Sequence, residues 1–235
     1  MNSYCVKKGY QINSMDLLGG GENTVEDSSI YSYEVYSLAR SLLLQHRLAS
    51  VLDLGCGQAV KLNKLLGPVC NQITGVEVAA TIAECSARYD WGIWLTGNLE
   101  DASLDIGRRF DLILAVDTIE HLANPTALLE TIGRHARPET WVVLSTVERD
   151  VARGREHMGP PPHPYHIREW SFDEFGEYVR GAGFEVVSHV TAPSATPLTK
   201  QHEHGLSRAL WELRLRLMAP FRRRELQVVV ARPAG

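Results

Sequence analysis

The stretch VLDLGCG at residues 51–57 decides the fold, because an apolar run there ends in two glycines separated by one residue. A short apolar run that meets glycine and then a helical pattern predicts a buried strand, a tight turn and a helix. Glycine is needed where the backbone takes a positive φ or lies close to a ligand. The first turn of the helix offers unpaired N–H groups and positive potential. We therefore expect Gly55 and Gly57 to form a ligand-binding turn.

Apolar runs and helical patterns alternate on both sides of this turn. The runs predict strands over residues 50–54, 72–77, 92–96, 110–116, 140–146, 184–190 and 226–232. Helical spacing predicts helices over residues 34–48, 58–66, 79–88, 125–136, 171–183 and 206–224. Such alternation is typical of βαβ units and a parallel sheet. The predicted fold class is α/β, a Rossmann-like seven-stranded sheet, mostly parallel, with helices on both faces.

Composition excludes several functional classes. The chain has 235 residues, 24 of them Lys or Arg and 28 Asp or Glu, so its net charge is −4. Without a basic field to hold a phosphate backbone, nucleic acid is not an expected partner. No run of 18 apolar residues predicts a membrane span, and the N-terminal residues lack the apolar core of a secretory signal. The four cysteines show no paired spacing, which predicts free thiols in a cytoplasmic protein.

Acidic residues near the glycine turn indicate the kind of ligand. Glu77 ends the next predicted strand, where its carboxylate can accept hydrogen bonds from both hydroxyls of a ribose, although it could instead cap a loop. Asp53 precedes the turn, where a carboxylate suits a cationic ligand and repels a pyrophosphate; it could also hold the turn. Val60 stands where a dinucleotide fingerprint needs a small residue. The pattern favours S-adenosylmethionine, a nucleoside with a positive sulfonium.

Residues 50–147 resemble the class I S-adenosylmethionine-dependent methyltransferases, and a weaker similarity continues to residue 190. The stretch 51–57 looks like the first motif of that family, and Glu77 matches its ribose-binding acidic residue. Residues 97–100 resemble the third-strand motif, in which an Asp usually meets the adenine amino group. Asn98 replaces that Asp here, and its carbonyl can accept the same bond. The backbone of Leu99 is the second contact that the resemblance implies.

The fourth-strand region extends the resemblance. Residues 117–122, DTIEHL, are similar to a version frequent in small-molecule O-methyltransferases of the ubiquinone-biosynthesis type. The match implies that Asp117 lies over the methionine end of the cofactor. His121 follows the strand where sulfonium and acceptor should meet, and an ordinary imidazole is mostly neutral at pH 7–8. We expect His121 to be the catalytic base, with His166 as the next candidate. The family also implies one reversed strand near the C-terminal edge of the sheet.

In this family the segment after the fifth strand builds the substrate wall, which implies that role for residues 148–170. Its prolines exclude regular structure locally, and its aromatic and imidazole groups suit a sugar or phenolic acceptor. We expect Tyr165, His166 and Trp170 to contact that acceptor. The His157, His163 and His166 spacing matches no recognised metal site, so no metal is expected.

The chain is expected to be a single domain with four parts. They are a leader at 1–33, a cofactor-binding core at 34–147, the substrate wall at 148–170, and C-terminal elements at 171–235. The leader can close as a lid, and Tyr31, Tyr33 and Tyr36 lie at or just past its end. The predicted activity is methyl transfer from S-adenosylmethionine to a hydroxyl of a small molecule. Two alternatives are an N-methyltransferase acting on a small amine or on RNA, and a noncatalytic cofactor-binding regulator. The sequence leaves open whether two copies form a homodimer.

Overall fold

The computed structural model describes residues 6–13, 31–194 and 224–235. Its strands are β1 Val51–Leu54, β2 Ile73–Glu77, β3 Ile93–Thr96, β4 Leu112–Val116, β5 Trp141–Val147, β6 Phe184–Ala192 and β7 Leu226–Pro233. These seven described strands form one sheet in the order β3-β2-β1-β4-β5-β7-β6. Strands β1 to β5 pair in parallel, whereas β7 runs antiparallel between β5 and β6. The predicted fold class, all seven predicted strands and the reversed strand are confirmed.

Four of the five described α-helices lie close to their predicted positions, whereas the fourth along the chain, in the predicted substrate wall, was not predicted. The five are α1 Tyr33–His46, α2 Ala79–Arg88, α3 Pro125–His135, α4 Arg149–Arg153 and α5 Phe172–Gly181. The helix predicted over 58–66 begins at Val60 and continues as a π-helical turn, Leu62–Leu66. The helix predicted over 206–224 lies outside the described residues except for its last position. In the described ranges, no helix has the length and apolar character needed to cross a bilayer.

Helices cover the central strands on both faces of the sheet. Because successive side chains of a strand point to opposite faces, neighbouring residues of β4 enter different layers. Leu114 of β4 shares one buried cluster with Leu43 of α1. Ile113 of β4 shares the other with Leu128 of α3 and Phe175 of α5. The near-continuous apolar sequences of β1, β4 and β5 match strands that are buried on both faces.

Residues 6–13, called the N-terminal strap below, lie along the predicted substrate wall. The Gln11 N–H donates to the carbonyl of Met158 at 2.9 Å, and the Asn13 N–H donates to the carbonyl of Ile167 at 2.8 Å. Part of the predicted leader is therefore bound to the wall, and residues 14–30 lie outside the described ranges. Tyr36 is 2% exposed within α1, so the expectation that it belongs to a mobile leader is wrong.

Candidate active site

The turn after β1 depends on two glycines with different surroundings. Gly55 has φ +83° and Gly57 has φ +51°, values that favour glycine. A Cβ placed on Gly55 would lie 2.7 Å from Cγ2 of Thr118, whereas nothing lies within 4 Å of a Cβ placed on Gly57. Gly55 therefore lets the loops after β1 and β4 contact each other. This role is structural, whereas the sequence predicted that Gly55 makes room for a ligand. Gly57 leaves open space, as a turn that cradles a ligand requires.

Asp53 is a buried carboxylate with one free oxygen. The Tyr36 hydroxyl donates to its Oδ2 at 2.7 Å, and its Oδ1 is buried without a hydrogen-bond partner among the described residues. Burial raises the pKa of Asp53 to about 7, and Glu77 adds to the rise, while the Tyr36 bond and the charge of Lys61 oppose it. A buried carboxylate that lacks a partner is costly unless a cationic or donor group meets it. This oxygen fits the positively charged methionine end of S-adenosylmethionine.

Asp117 follows β4 with its carboxylate fixed on both sides. Its φ is +50°, a conformation that costs free energy in a residue with a side chain. Oδ1 accepts from the Ser145 hydroxyl at 2.6 Å, and Oδ2 accepts a short bond from the Ser32 hydroxyl. The two serines come from β5 and from the residue before α1, so three separate segments hold this carboxylate.

Glu77 lies at the end of β2 beside the glycine turn. Oε2 accepts from the Gly57 N–H at 3.3 Å and Oε1 accepts from the Val78 N–H at 2.9 Å. The loop-capping role that the sequence left open is therefore present. Each carboxylate oxygen can accept a further bond, so capping is compatible with the predicted ribose contact. Val78 is 55% exposed and adds an apolar surface next to that carboxylate.

The third-strand motif offers less to a ligand than its sequence suggests. The Oδ1 of Asn98 accepts from the Glu100 N–H at 3.0 Å, so the carbonyl predicted to meet adenine already closes a local turn. The Leu99 side chain is 8% exposed and packs in the hydrophobic core. An amide oxygen can accept a second hydrogen bond, so the adenine contact of Asn98 stays a prediction, as does the contact of the Leu99 backbone.

Glu120, His121 and His166 converge after β4. The first two lie in the 3-10 turn Ile119–His121, and one potential ligand atom from each of the three residues lies within 4.8 Å of the others. The rings of His121 and His166 are 4.9 Å apart. Nδ1 of His121 donates to the Tyr165 carbonyl at 2.8 Å, and Nδ1 of His166 contacts Oε1 of Glu169 at 2.7 Å. Both imidazoles can therefore present Nε2 to a ligand.

Burial shifts the pKa values of two groups in this cluster. Burial and the neighbouring imidazoles of His166 and His163 together lower the pKa of His121 to about 4, so His121 is neutral above that pH. Burial and the charge of Asp117 raise the pKa of Glu120 well above its usual value. Glu120 Oε2 has no hydrogen-bond partner among the described residues. Once Glu120 is ionised, the two imidazoles and this buried carboxylate form a donor set that fits a divalent cation.

The substrate-wall residues differ in what they can contact. Tyr165 is 37% exposed, as a contact residue requires, whereas Trp170 is 1% exposed. The Trp170 ring stacks on Tyr178 of α5 at 5.7 Å between ring centroids. The expectation that Trp170 contacts the acceptor is therefore wrong, because its side chain fills the core under α5. His157 bonds to Arg153 and is not part of the cluster.

Sequence reasoning missed several residues of the site. Glu120 is one of them, because adjacent residues of a regular helix point in different directions and the sequence therefore does not place it beside His121. The 3-10 turn brings both into one cluster, and Glu169 and the Tyr165 carbonyl orient the imidazoles. Tyr36 shows only an apolar helical spacing in the sequence, which gives no sign of its bond to Asp53.

The chain was compared with known proteins. A family model described as a methyltransferase domain matches residues 31–189. The ubiquinone biosynthesis O-methyltransferase of Nitrosospira multiformis is 24% identical over 196 residues, 74% of this chain and 79% of that protein. The protein of the same name from Xanthomonas oryzae pv. oryzae is 27% identical over 112 residues, which are 44% of this chain and 45% of that protein. The chain thus spans about half the length of the Xanthomonas relative.

Solved structures share the fold at low identity. An S-adenosylmethionine-dependent methyltransferase from Clostridium acetobutylicum ATCC 824 has a TM-score of 0.61 and 12% identity, over 87% of this chain and 93% of that one. The glycopeptide N-methyltransferase MtfA, complexed with sinefungin, has a TM-score of 0.58 and 15% identity, over 85% and 87% of the two chains. At these identities the likeness establishes the fold.

Gly57, Asp53 and Glu77 form one side of the site, called the cofactor side below. Its geometry and the match to the family model indicate the same kind of ligand. The model covers more than half of the chain and includes the open turn at Gly57, the free oxygen of Asp53 and the carboxylate of Glu77. These residues fit a cationic nucleoside. The chain therefore belongs to the methyltransferase-domain family.

Proposed function

We propose that this methyltransferase acts on a hydroxyl of a small molecule, a phenol or a sugar. The observation that carries the proposal is the cluster of Glu120, His121 and His166. A neutral amine can attack a sulfonium methyl directly, whereas a hydroxyl gains nucleophilicity when its proton is removed. A cluster able to assist that removal favours oxygen over nitrogen as the acceptor atom.

The position of the cluster supports this assignment. Thr118 lies two residues before Glu120, and its hydroxyl donates to the carbonyl of Leu54 at 3.3 Å. Its side chain also occupies the space beside Gly55. The cluster thus begins next to the turn that would hold the cofactor. S-adenosylmethionine supplies an electrophilic methyl group when bound, and the chain contributes alignment and proton removal.

Two roles are open to the imidazoles, and the contacts favour one. As a base, His121 would be weak, because burial lowers its pKa to about 4. As ligands, His121 and His166 would act with Glu120, whose unpaired buried oxygen a cation would satisfy. A divalent cation at this place would lower the pKa of an adjacent hydroxyl. We therefore propose metal-assisted O-methylation, with general-base catalysis by His121 or His166 as the competing mechanism.

The acceptor class follows from the exposed part of the wall. Tyr165 is partly exposed, and the ring of His163 lies 5.8 Å from it and 4.0 Å from that of His166. Aromatic and imidazole groups can stack on a ring and bond to its hydroxyls. The O-methyltransferase names of the relatives also support an oxygen acceptor.

The test is production of S-adenosylhomocysteine from panels of phenols, sugars and amines, with protein stripped by a chelator and then supplied with Mg²⁺, Mn²⁺ or Zn²⁺. We expect hydroxyl acceptors to react only after a metal is restored. Glu120→Gln should lower turnover by about a hundredfold or more, as for loss of a group that assists proton removal, with S-adenosylhomocysteine affinity unchanged. Glu130→Gln, at an exposed position of α3, is the matched control.

Three outcomes would contradict parts of this proposal. Turnover of amines alone would exclude a hydroxyl acceptor. Activity that survives the chelator but is lost in His121→Ala and returns at high pH would favour the base mechanism. Full activity of Glu120→Gln with hydroxyl acceptors would remove the cluster from the reaction.

A further inference from the structure

Three acidic side chains surround the cofactor side of the site. Asp53, Glu77 and Asp117 all lie around the ends of β1, β2 and β4. The methionine portion of S-adenosylmethionine carries an ammonium and a carboxylate beside the sulfonium. Its carboxylate would be repelled by these side chains unless a cation faces it. Lys61 is a cationic side chain close to Asp53 and Asp117.

We propose that Lys61 binds the α-carboxylate of the methionine portion of S-adenosylmethionine. Lys61 lies in the first helical turn after Gly57. Its Nζ lies 5.5 Å from the ring centroid of Tyr36, and the hydroxyl of that tyrosine binds Asp53. The ammonium of Lys61 therefore lies beside the ring of Tyr36, whose hydroxyl binds Asp53. The inference rests on S-adenosylmethionine as cofactor and not on the proposed acceptor.

The ammonium of Lys61 has N–H donors that could bind a ligand. No hydrogen bond or ion pair joins Lys61 to another of the residues that the structure describes, although Asp53 and Asp117 are near enough to favour its charged form. Burial lowers the pKa of Lys61, because a half-buried ammonium loses hydration. A desolvated ammonium has three donors to satisfy. A carboxylate from the ligand would supply acceptors and opposite charge at once.

A purely structural role for Lys61 predicts something different. If the ammonium only neutralises Asp53 and Asp117, its loss would affect every ligand that enters the site to a similar extent. If it binds the ligand carboxylate, its loss would affect only ligands that have one. Decarboxylated S-adenosylhomocysteine keeps the adenosine and the amine but lacks this carboxylate, so it separates the two roles.

The experiment is calorimetric titration of S-adenosylhomocysteine and of its decarboxylated analogue into wild type and Lys61→Gln. We expect the substitution to weaken S-adenosylhomocysteine about tenfold to a hundredfold, as for loss of a charge-assisted hydrogen bond. The decarboxylated analogue should bind the variant as well as it binds wild type, or better, because its amine then meets a more negative site. Lys61→Arg should restore much of the lost affinity.

Lys64→Gln is the matched control, since Lys64 is exposed in the same helical segment and should leave both affinities unchanged. Lys61→Met, which keeps the apolar stem, replaces Lys61→Gln if that variant does not fold. Unchanged S-adenosylhomocysteine affinity, or an equal loss for both ligands, would overturn the role of Lys61. Failure of wild type to bind S-adenosylhomocysteine would overturn the cofactor assignment as well, whereas an amine acceptor would leave the Lys61 result intact.

Discussion

Three acidic residues of the site are held in arrangements that cost stability. Asp53 and Glu120 are buried with a carboxylate oxygen that has no partner among the described residues, and Asp117 takes a left-handed conformation. Each such feature lowers the free energy of unfolding. At the ends of β1 and β4 a bound ligand could supply the missing partners of the two carboxylates.

Asp53 should therefore reduce stability at neutral pH. Its pKa rises from 3.8 to about 7 on folding, so unfolding releases a proton between those values and stability falls as the pH rises through this window. Asn at this position cannot ionise but can still accept the Tyr36 bond. We expect Asp53→Asn to be more stable than wild type at pH 8, by about 4 kcal/mol at most. The difference should vanish near pH 4.

Thermal and urea unfolding at pH 4, 6 and 8 measures this difference, with Asp105→Asn, at an exposed position, as control. S-adenosylhomocysteine should bind Asp53→Asn about tenfold more weakly or worse, because a charge-assisted contact is lost. A variant that is less stable than wild type at pH 8 would show that the Asp53 carboxylate stabilises the fold in its ionised form.

The elements of the fold were more predictable than the contacts between them. The apolar run at β4 predicts a buried strand because burial on both faces leaves no polar position. The π-helical turn Leu62–Leu66 was not predicted, since its hydrogen-bond spacing has no separate signature in side-chain periodicity. Likewise, the family resemblance implied a reversed strand near the C-terminal edge but not its place between β5 and β6, because composition does not determine strand order.

In the candidate site, too, residues that follow a local pattern could be predicted, whereas contacts between distant segments could not. Gly57 and Glu77 could be proposed from the sequence because Gly57 lies in the turn after one apolar run and Glu77 ends the next. The meeting of Glu120 with His166 depends on how the segment after β5 folds back over the loop after β4, where the Ile167 N–H donates to the Glu120 carbonyl at 2.8 Å. No local pattern encodes such a long-range contact.

The N-terminal strap supports that folded-back segment through Tyr10. The Tyr10 hydroxyl accepts from the Glu169 N–H at 3.0 Å and from Nη2 of Arg153 at 3.1 Å. Arg153 also pairs with the Glu169 carboxylate at 3.0 Å, and that carboxylate holds His166. Glu169 thus connects the strap to the cluster, because its N–H binds Tyr10 and its carboxylate binds His166.

We expect Tyr10→Phe to lower the free energy of unfolding by about 1–3 kcal/mol, because a partly buried N–H of Glu169 loses its acceptor. Turnover should fall several-fold while S-adenosylhomocysteine affinity is unchanged, since the hydrogen bonds described between the strap and the rest of the protein all go to the wall and α5. Urea unfolding, hydrogen exchange at the Glu169 amide and steady-state rates measure these effects. Tyr31→Phe, at an exposed position, is the control. Weaker cofactor binding in Tyr10→Phe would mean that the strap also supports the cofactor side.

At the scale of the whole molecule, the last described strand, β7, belongs to the same sheet as the strands that carry the site. Strand β7, near the C-terminus, pairs with β5 on one side and with β6 on the other. Val229 of β7 is fully buried, and it lies opposite Leu144 of β5 and His189 of β6. The sheet that positions the glycine turn is therefore completed only when the last strand has joined it, which predicts that the described body unfolds as one cooperative unit.

Val229→Ala tests this cooperativity. Removing two buried methyl groups should lower the free energy of unfolding by about 1.5–3 kcal/mol. If the sheet is one unit, native-state hydrogen exchange should speed up by the same factor at the slowest amides of β1 and of β6, although β1 does not touch β7. Val187→Ala, at an exposed position of β6, should change neither. Faster exchange confined to β6 and β7 would show that the C-terminal pair opens separately from β1 to β4, and the glycine turn would then keep its geometry without the last strand.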